Sequence, residues 1–573
     1  MGTGFTTDTP LNVARFGIAS VISLADDVLI ERLRRYHAGR TGEPYEVITE
    51  AHPDPRAARI TAYLNLVHRL VTRQVAELRA APFEAGSEIE RYFELLPAGP
   101  LREQYQTMVQ TVEVTEKARL QARLRQAVRA GSIDVNIMTK MDCARYRDGV
   151  QLPPEYNDAV SGLRGFANST LESAVVFSAG LNQRLYTYAS EIPGFLPGPD
   201  GRLKKRIILK VSDYRSAAIQ GRFLAKRGLW VSEFRVESGL NCGGHAFASG
   251  GQLLGPILEE FKQKRAELAE LLWTTCVGVW QTKGVTLPAA PYTLRLTVQG
   301  GLGTAGEQNM LRRYYGVDST GWGSPFLLAS DVTAVDESLI QRLLTCQPGD
   351  IYMSDSSPLG VPFWNLRQSP SEAARERRAA DGYPGSPCPK GYAKFDHSFG
   401  GTPVCLASHD YQQQRLAQLK EQSPAPAPAQ IEQVIVKSCI CHELGGSALL
   451  KYGLSTTITP AICPGPNLIW FRQRLNLDTL IHHIYGRHSV VDEAARPHMF
   501  IQELGINIEY LKKRLAPDAG AQKSFHEFTE TLRGGIQYYR ERLAQLVQEG
   551  ADKFHQQLDS LAAELAALQP APA

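Results

Sequence analysis

Short apolar runs alternate along this chain with longer stretches whose apolar residues recur at helical spacing, a pattern that predicts an α/β fold. The run Phe16–Leu24, ended by Asp26 and Asp27, reads as a first strand, with a helix over Asp26–His37 behind it. From about Asp54 to Ala130 the composition turns to Arg, Glu, Leu and Ala, and Leu64, Leu66, Val67, Leu70 and Val71 fall on one helical face. A helical insertion at about 40–130 is therefore expected after strand 1. Further strands are predicted at Ile133–Met138, Ser173–Gly180, Lys205–Val211 and in Gly228–Val236, with a helix over Ser216–Arg227. Leu253–Leu272 is strongly helical, Tyr292–Thr304 holds a seventh strand, and Gly316–Phe326 a short last one with its loop. No run between the fifth and seventh reads as a sixth strand. Strands alternating with helices imply a parallel sheet, and about eight such units imply closure into a (β/α)8 TIM barrel.

After the barrel the pattern changes. Pro, Gly, Ser and Cys dominate up to Ser408, and Ser423–Ala429 is a stiff Pro-Ala linker. From Pro497 to Leu568 an amphipathic helical tail is expected, with Tyr510, Leu511, Tyr538, Leu543, Leu546 and Leu561 facing inward. The expected organisation is a barrel over 10–345, a cysteine-containing, loop-rich extension over 346–496 and a helical tail over 497–573. The tail is read as a packed layer or the interface of a homodimer.

Charge and cysteine content narrow the class. A net charge of +3 on 573 residues gives no reason to expect nucleic acid as a partner. Basic stretches such as Arg202–Arg206 and Arg375–Arg378 read as solvated faces. No run reaches membrane-spanning length, the polar start Met1–Pro10 does not resemble a secretory signal, and nine cysteines, an odd number, do not suggest a disulfide framework. A cytoplasmic protein without membrane association is expected.

Three glycine-rich turns follow predicted strands: Cys242-Gly243-Gly244-His245, Gly300-Gly301-Leu302-Gly303-Thr304 and Gly321-Trp322-Gly323-Ser324. The last two offer backbone N–H groups and hydroxyls to an anion, and loops after the last strands of β/α barrels often hold phosphate. The first places one titratable imidazole on a turn poor in side chains, where a flat ligand could lie close to the backbone. Five of the nine cysteines lie together in the last third of the chain: Cys388, Cys405, Cys439, Cys441 and Cys463. Cys388 and Cys463 each precede a proline, as a cluster ligand does in some bacterial iron–sulfur motifs, and Cys439-Ile-Cys441 sets two thiols close together. A [4Fe-4S] cluster on four of these five, a zinc ion, and no metal are the three readings. Cys143, Cys276 and Cys346 read as core residues.

These segments resemble a family. Gly243-Gly244-His245, the Gly300-Gly301 loop and Gly323-Ser324-Pro325-Phe326 are similar to successive signatures of the nitronate monooxygenase (2-nitropropane dioxygenase) family of FMN barrels. Val135-Asn136-Ile137 and Val175–Gly180 are similar to its second and third strands. The resemblance extends equally to the trans-acting enoyl reductase of polyunsaturated fatty acid synthases. It covers about residues 10–365, and it departs from the monooxygenases at Asn241-Cys242 and at Trp322. It implies an FMN whose phosphate sits on Gly301, Gly303, Gly323 and Ser324, with Gly243, Gly244, Gly300 and Thr304 completing the loops. The ring would lie near Asn136, with His245 beside its reactive face as proton donor or acceptor. Lys210 is either a cofactor contact or half of a buried salt bridge. The implied activity is a flavin-dependent oxidoreductase acting on a small-molecule or carrier-bound substrate. A nitronate monooxygenase using dioxygen, and a flavin-binding scaffold without turnover, are the alternatives.

Overall fold

The computed structural model describes residues 4–178, 180–387, 389–547 and 550–570. Seven strands form one parallel sheet: β1 (Ser20–Ser23), β2 (Ile133–Met138), β3 (Ala174–Ser178), β4 (Arg206–Val211), β5 (Val231–Glu237), β6 (Arg295–Gln299) and β7 (Ser319–Gly321). They pair in chain order, each with the next. The outward residues of these strands (Ile22, Val135, Phe177, Leu209, Phe234, Val298) are at most 1% exposed, because helices cover them.

The expected eight-stranded barrel is corrected on two points. No sixth strand exists among the described residues, and β5 pairs directly with β6 through Glu233↔Arg295 and Phe234↔Leu296. The intervening chain explains why. Residues 238–251 are glycine-rich and polar, Leu254–Thr282 is a single 29-residue helix, and Pro288 and Pro291 remove donors from what is left. Nor does the sheet close: it is a curled half-barrel in which the three-residue β7 has no strand on its far side among the described residues. The space between β7 and β1 is taken by a helical turn, Ser324–Leu328, and by the N-terminal segment. There Ala334 N–H donates to Phe5 O (2.8 Å), while Thr9 Oγ1 and Asn12 Nδ2 donate to Val332 O (3.0 and 3.1 Å).

Between β1 and β2 run five helices, α1 (Asp27–Thr41), α2 (Pro55–Ala80), α3 (Glu88–Glu94), α4 (Pro100–Gln110) and α5 (Val114–Ala127). The longest, α2, starts at an Asp54 N-cap with proline in its first turn. It packs on α6 (Asp158–Ala167) so tightly that a Cβ on Gly165 would lie 2.8 Å from Ile60. Next come α7 (Tyr214–Ala225), α8 (Leu254–Thr282) and α9 (Ala305–Tyr314), the first two over the outer face of β5. A Cβ on Gly221 of α7 would meet Phe234 at 3.1 Å and Leu272 at 3.3 Å.

The remaining chain wraps the C-terminal ends of the strands. An antiparallel hairpin, β8 (Ile351–Ser354) and β9 (Phe363–Leu366), binds the Gly-Gly-His turn: Trp364 N–H donates to Gly244 O (2.9 Å) and Ala246 N–H to Pro362 O (2.8 Å). The tail forms α10 (Met499–Tyr510), α11 (Gln522–Leu546) and α12 (Ala551–Ala566). Leu511 and Leu546 are buried, and Tyr510, Tyr538, Leu543 and Leu561 pack partly buried against the same core. No helix among the described residues is long and apolar enough to cross a membrane.

Candidate functional site

The inner face of the curled sheet is unlike a packed barrel core. In closed β/α barrels the inward positions are mostly bulky aliphatic residues stacked in layers. Here only Val21, Ala174, Val176 and Ile208 form an apolar cluster on that side. On β5, Glu233, Arg235 and Glu237 alternate with the buried Phe234 and Val236, and on β6 Arg295, Thr297 and Gln299 alternate with Leu296 and Val298. These polar side chains bind one another and leave a cavity of ≈ 1070 Å³. Arg235 donates twice to Glu233 Oε1 (2.9 and 2.7 Å), Thr297 Oγ1 donates to the same oxygen (2.6 Å), and Gln299 Nε2 donates to Glu237 (2.6 Å). Lys210 pairs with Glu237, which makes it half of a salt bridge. Burial is the largest influence and raises the Glu237 carboxyl, but the Lys210 ammonium and the Gln299 donor help to hold the group below its ordinary value.

At the C-terminal ends of the strands the glycine turns meet. Gly300 and Gly301 have φ of 104° and 73°, and a Cβ there would strike Cys242 Sγ (2.4 Å) or Asn241 Nδ2 (2.1 Å). Asn241 is 2% and Asn136 8% exposed, and the Oδ1 atom of each has no hydrogen-bond partner. A loop from far along the chain, Cys463–Pro466, seals this end. Gly465 N–H donates to Ser324 Oγ (2.8 Å), and a Cβ on Gly243 would lie 2.5 Å from Cys463 O. Burial pushes the Cys463 thiol up to about 11 and the Cys242 thiol well above its usual value, so both are protonated thiols at neutral pH.

The predicted phosphate loops divide into two. Gly301, Gly323 and Ser324 line the cavity, and a Cβ on Gly323 would meet nothing within 4 Å. The Ser324 hydroxyl accepts from Gly465 and keeps its own hydrogen to donate. Gly303 and Thr304 are differently placed. Their N–H groups donate to the carboxylate of Glu307 (2.8 and 3.2 Å) in a capping box that starts α9. Arg496 then binds Glu307 at 2.5 Å and Gly301 O at 2.6 Å, with both side chains of the ion pair at most 3% exposed. The chain's own carboxylate therefore occupies the anion position at this helix N-terminus.

His245 lies behind the glycine turn, against the hairpin rather than on the cavity wall. Its Nε2 is 2.7 Å from the fully buried Ser357 Oγ, and its ring packs edge-on against Phe363. Leu359 N–H donates to that same oxygen (3.2 Å), which leaves the serine hydroxyl one further lone pair and its own hydrogen to share with the imidazole. Burial, with Lys210 and Lys140 nearby, lowers the imidazole to about 4, and it is neutral at pH 7.

The described C-terminal cysteines fall in three packing clusters. Cys439 and Cys441 cluster with Tyr392 and Met141, and Cys143 Sγ lies 3.2 Å from Tyr392 O, so a thiol read as an isolated core residue joins this group. Cys405 packs nearby in chain terms, with Ala393 and Ala407. Cys463 sits instead beside Gly243 at the strand ends. Cys388 lies outside the described residues, as does Ala179 of the expected third strand. Among the described residues no group of three or more His, Cys, Asp or Glu is placed to hold a metal ion.

Sequence reasoning missed the inner wall, Ser357 and Arg496. The period-two charge on β5 was the available signal for the wall, and Thr304-x-x-Glu307 for the capping box. No local signal marks Ser357 or Arg496. The stretch Arg202–Arg206 also differs from a solvated face. Lys205 is buried and donates to Phe166 O, Ser169 O and Leu171 O (3.0, 2.9 and 2.5 Å), and Arg206 faces the cavity.

No protein-family model matches this chain, and no curated protein does. Among solved structures it is similar to the enoyl reductase domain of MlnA from the macrolactin biosynthesis cluster of Bacillus amyloliquefaciens. That match has 13% identity and a TM-score of 0.33, and covers 77% of this chain and 89% of the other.

Proposed function

We propose that the chain is a flavin-dependent oxidoreductase that holds FMN at the C-terminal ends of the strands. The observation that carries this reading is the ≈ 1070 Å³ cavity lined by Gly301, Gly323 and Ser324, with room beside Gly323 for a group this chain does not supply. The unpartnered Oδ1 of Asn241, on the cavity wall, is an acceptor suited to the N–H of a flat heterocycle; Asn136 carries another but does not line the cavity. Gly301, Gly323 and Ser324 would hold the phosphate, while Gly303 and Thr304 are excluded from that role by Glu307. Bound FMN supplies hydride or electron transfer at an activated carbon. His245, a neutral imidazole behind the glycine turn, is the residue we assign as proton donor or acceptor, and Lys210, held by Glu237, fixes the charge near it.

The test is the absorption spectrum of the purified full-length protein with flavin, iron and sulfide quantitation, before and after reconstitution with FMN. Flavin bands with stoichiometric FMN are expected, and a protein that takes up no flavin ends the reading. Gly323→Asp adds a carboxylate where a Cβ meets nothing, so it is expected to fold normally and lose flavin. His245→Ala is expected to slow the flavin half-reaction by about 100-fold without lowering flavin content.

A further inference from the structure

The other end of the cavity holds donors with nothing to donate to. Near β5 and β6 the charges are matched: Glu233 takes Arg235 and Thr297, and Arg295 approaches it at 3.6 Å. On β2, Asp134 accepts from Ser132 Oγ (2.5 Å) and Ala174 N–H (2.9 Å). Arg206, the register partner of Ala174, is left over. It makes no side-chain hydrogen bond and no ion pair among the described residues, although Asp134 lies close enough to feel its charge. Trp230, at the adjoining start of β5, lines the same cavity at 2% exposure, and its Nε1–H has no acceptor. Ser20 Oγ, at the start of β1, is buried on this wall and also has no partner.

Leaving one buried donor unsatisfied costs about 1–3 kcal/mol. Water could serve the indole and the hydroxyl, and Asp134 balances part of the Arg206 charge, but no group among the described residues takes up the two parallel N–H bonds of its fork. We propose that this N-terminal end of the cavity is a second ligand site, built for a small organic carboxylate with a planar apolar body. Its carboxylate would lie on the Arg206 fork, whose parallel N–H groups match two oxygens. Its body would lie along Trp230 and Tyr292, whose rings wall this end. Tyr292 is already spent, donating to Gly201 O at 2.5 Å, so it offers only a ring face. Arg202, exposed, and Arg295, half-exposed, stand at this end and draw anions toward it. The site is independent of flavin, which belongs to the opposite end of the strands.

Benzoate is the probe, titrated into the full-length protein by calorimetry with tryptophan fluorescence as a second signal. Saturable binding to one site is expected. Arg206→Gln should weaken it by about tenfold or more, and Trp230→Phe, which removes the N–H and keeps a ring, by about fivefold. Ser324→Ala, at the opposite end, should leave it unchanged. Absence of saturable binding, or equal affinity in Arg206→Gln, overturns the site. Inorganic phosphate binding more tightly than benzoate, with the same dependence on Arg206, overturns the planar carboxylate assignment. If Arg206→Gln fails to fold, Trp230→Phe decides alone, since it removes a donor that has no partner to lose.

Discussion

On β5 the residues Phe234 and Glu233 are neighbours in sequence and opposites in circumstance. Phe234 points outward, 1% exposed, against Phe261 of α8 and beneath Gly221 of α7. Glu233 points inward, also buried, yet its surroundings are Arg235, Arg295 and Thr297. The outer face is held by the removal of apolar surface from water, which requires close packing and tolerates no void. The inner face is held by directional bonds between charged groups, which can stand around an empty space without collapsing into it. A hollow sheet is thus compatible with a stable one, because the two faces are stabilised by different physics.

The comparison can be broken most severely from outside. Phe234→Ala should cost about 3–5 kcal/mol in denaturant unfolding, since the helices over it cannot close the gap. Acid is the next lever, and it acts on two buried imidazoles, His245 behind the glycine turn and His498 at the N-cap of α10. His245 and His498 are lowered to about 4 chiefly by burial, whereas an unfolded imidazole binds its proton near 6.5. Between those values the unfolded state holds more protons than the native one, so stability falls as pH drops from 6.5 to 4 and falls no further on their account below that. Melting temperatures across this range should decline, and His245→Gln should flatten part of the slope. The smallest effect is on the inner wall. Thr297→Val deletes one bond to the Glu233 carboxylate while Arg235 remains, and should cost about 1–2 kcal/mol. If Thr297→Val proved as costly as Phe234→Ala, the two faces would not differ in the way described.

Much of the sheet was legible along the chain. Ile133–Met138 stands as predicted, and Arg206–Val211 differs from its predicted strand by one residue. Both are apolar runs with clear ends, so periodicity suffices. The missing sixth strand was legible too, as an absence, and the expectation of eight units came from the closed barrel rather than from any run of residues. The inner wall was hidden because charged residues alternating with apolar ones ordinarily mean a sheet with one face in water. Here that face looks into a cavity. The mouth was hidden for another reason: its contacts join distant segments, 112 residues apart for His245 and Ser357 and 189 for Glu307 and Arg496. No local pattern encodes such a meeting.

The Cys463–Pro466 loop has a consequence for the order in which the molecule comes into being. Gly465 and Ser324 are 141 residues apart, and the seven strands are all upstream of both the loop and Arg496. A chain emerging from the ribosome can pair β1 to β7 long before the loop exists, but Gly301 and Ser324 then lie open. The mouth of the cavity is the last part to be built, and a nascent or truncated chain ending before residue 463 would carry the sheet with no door on it.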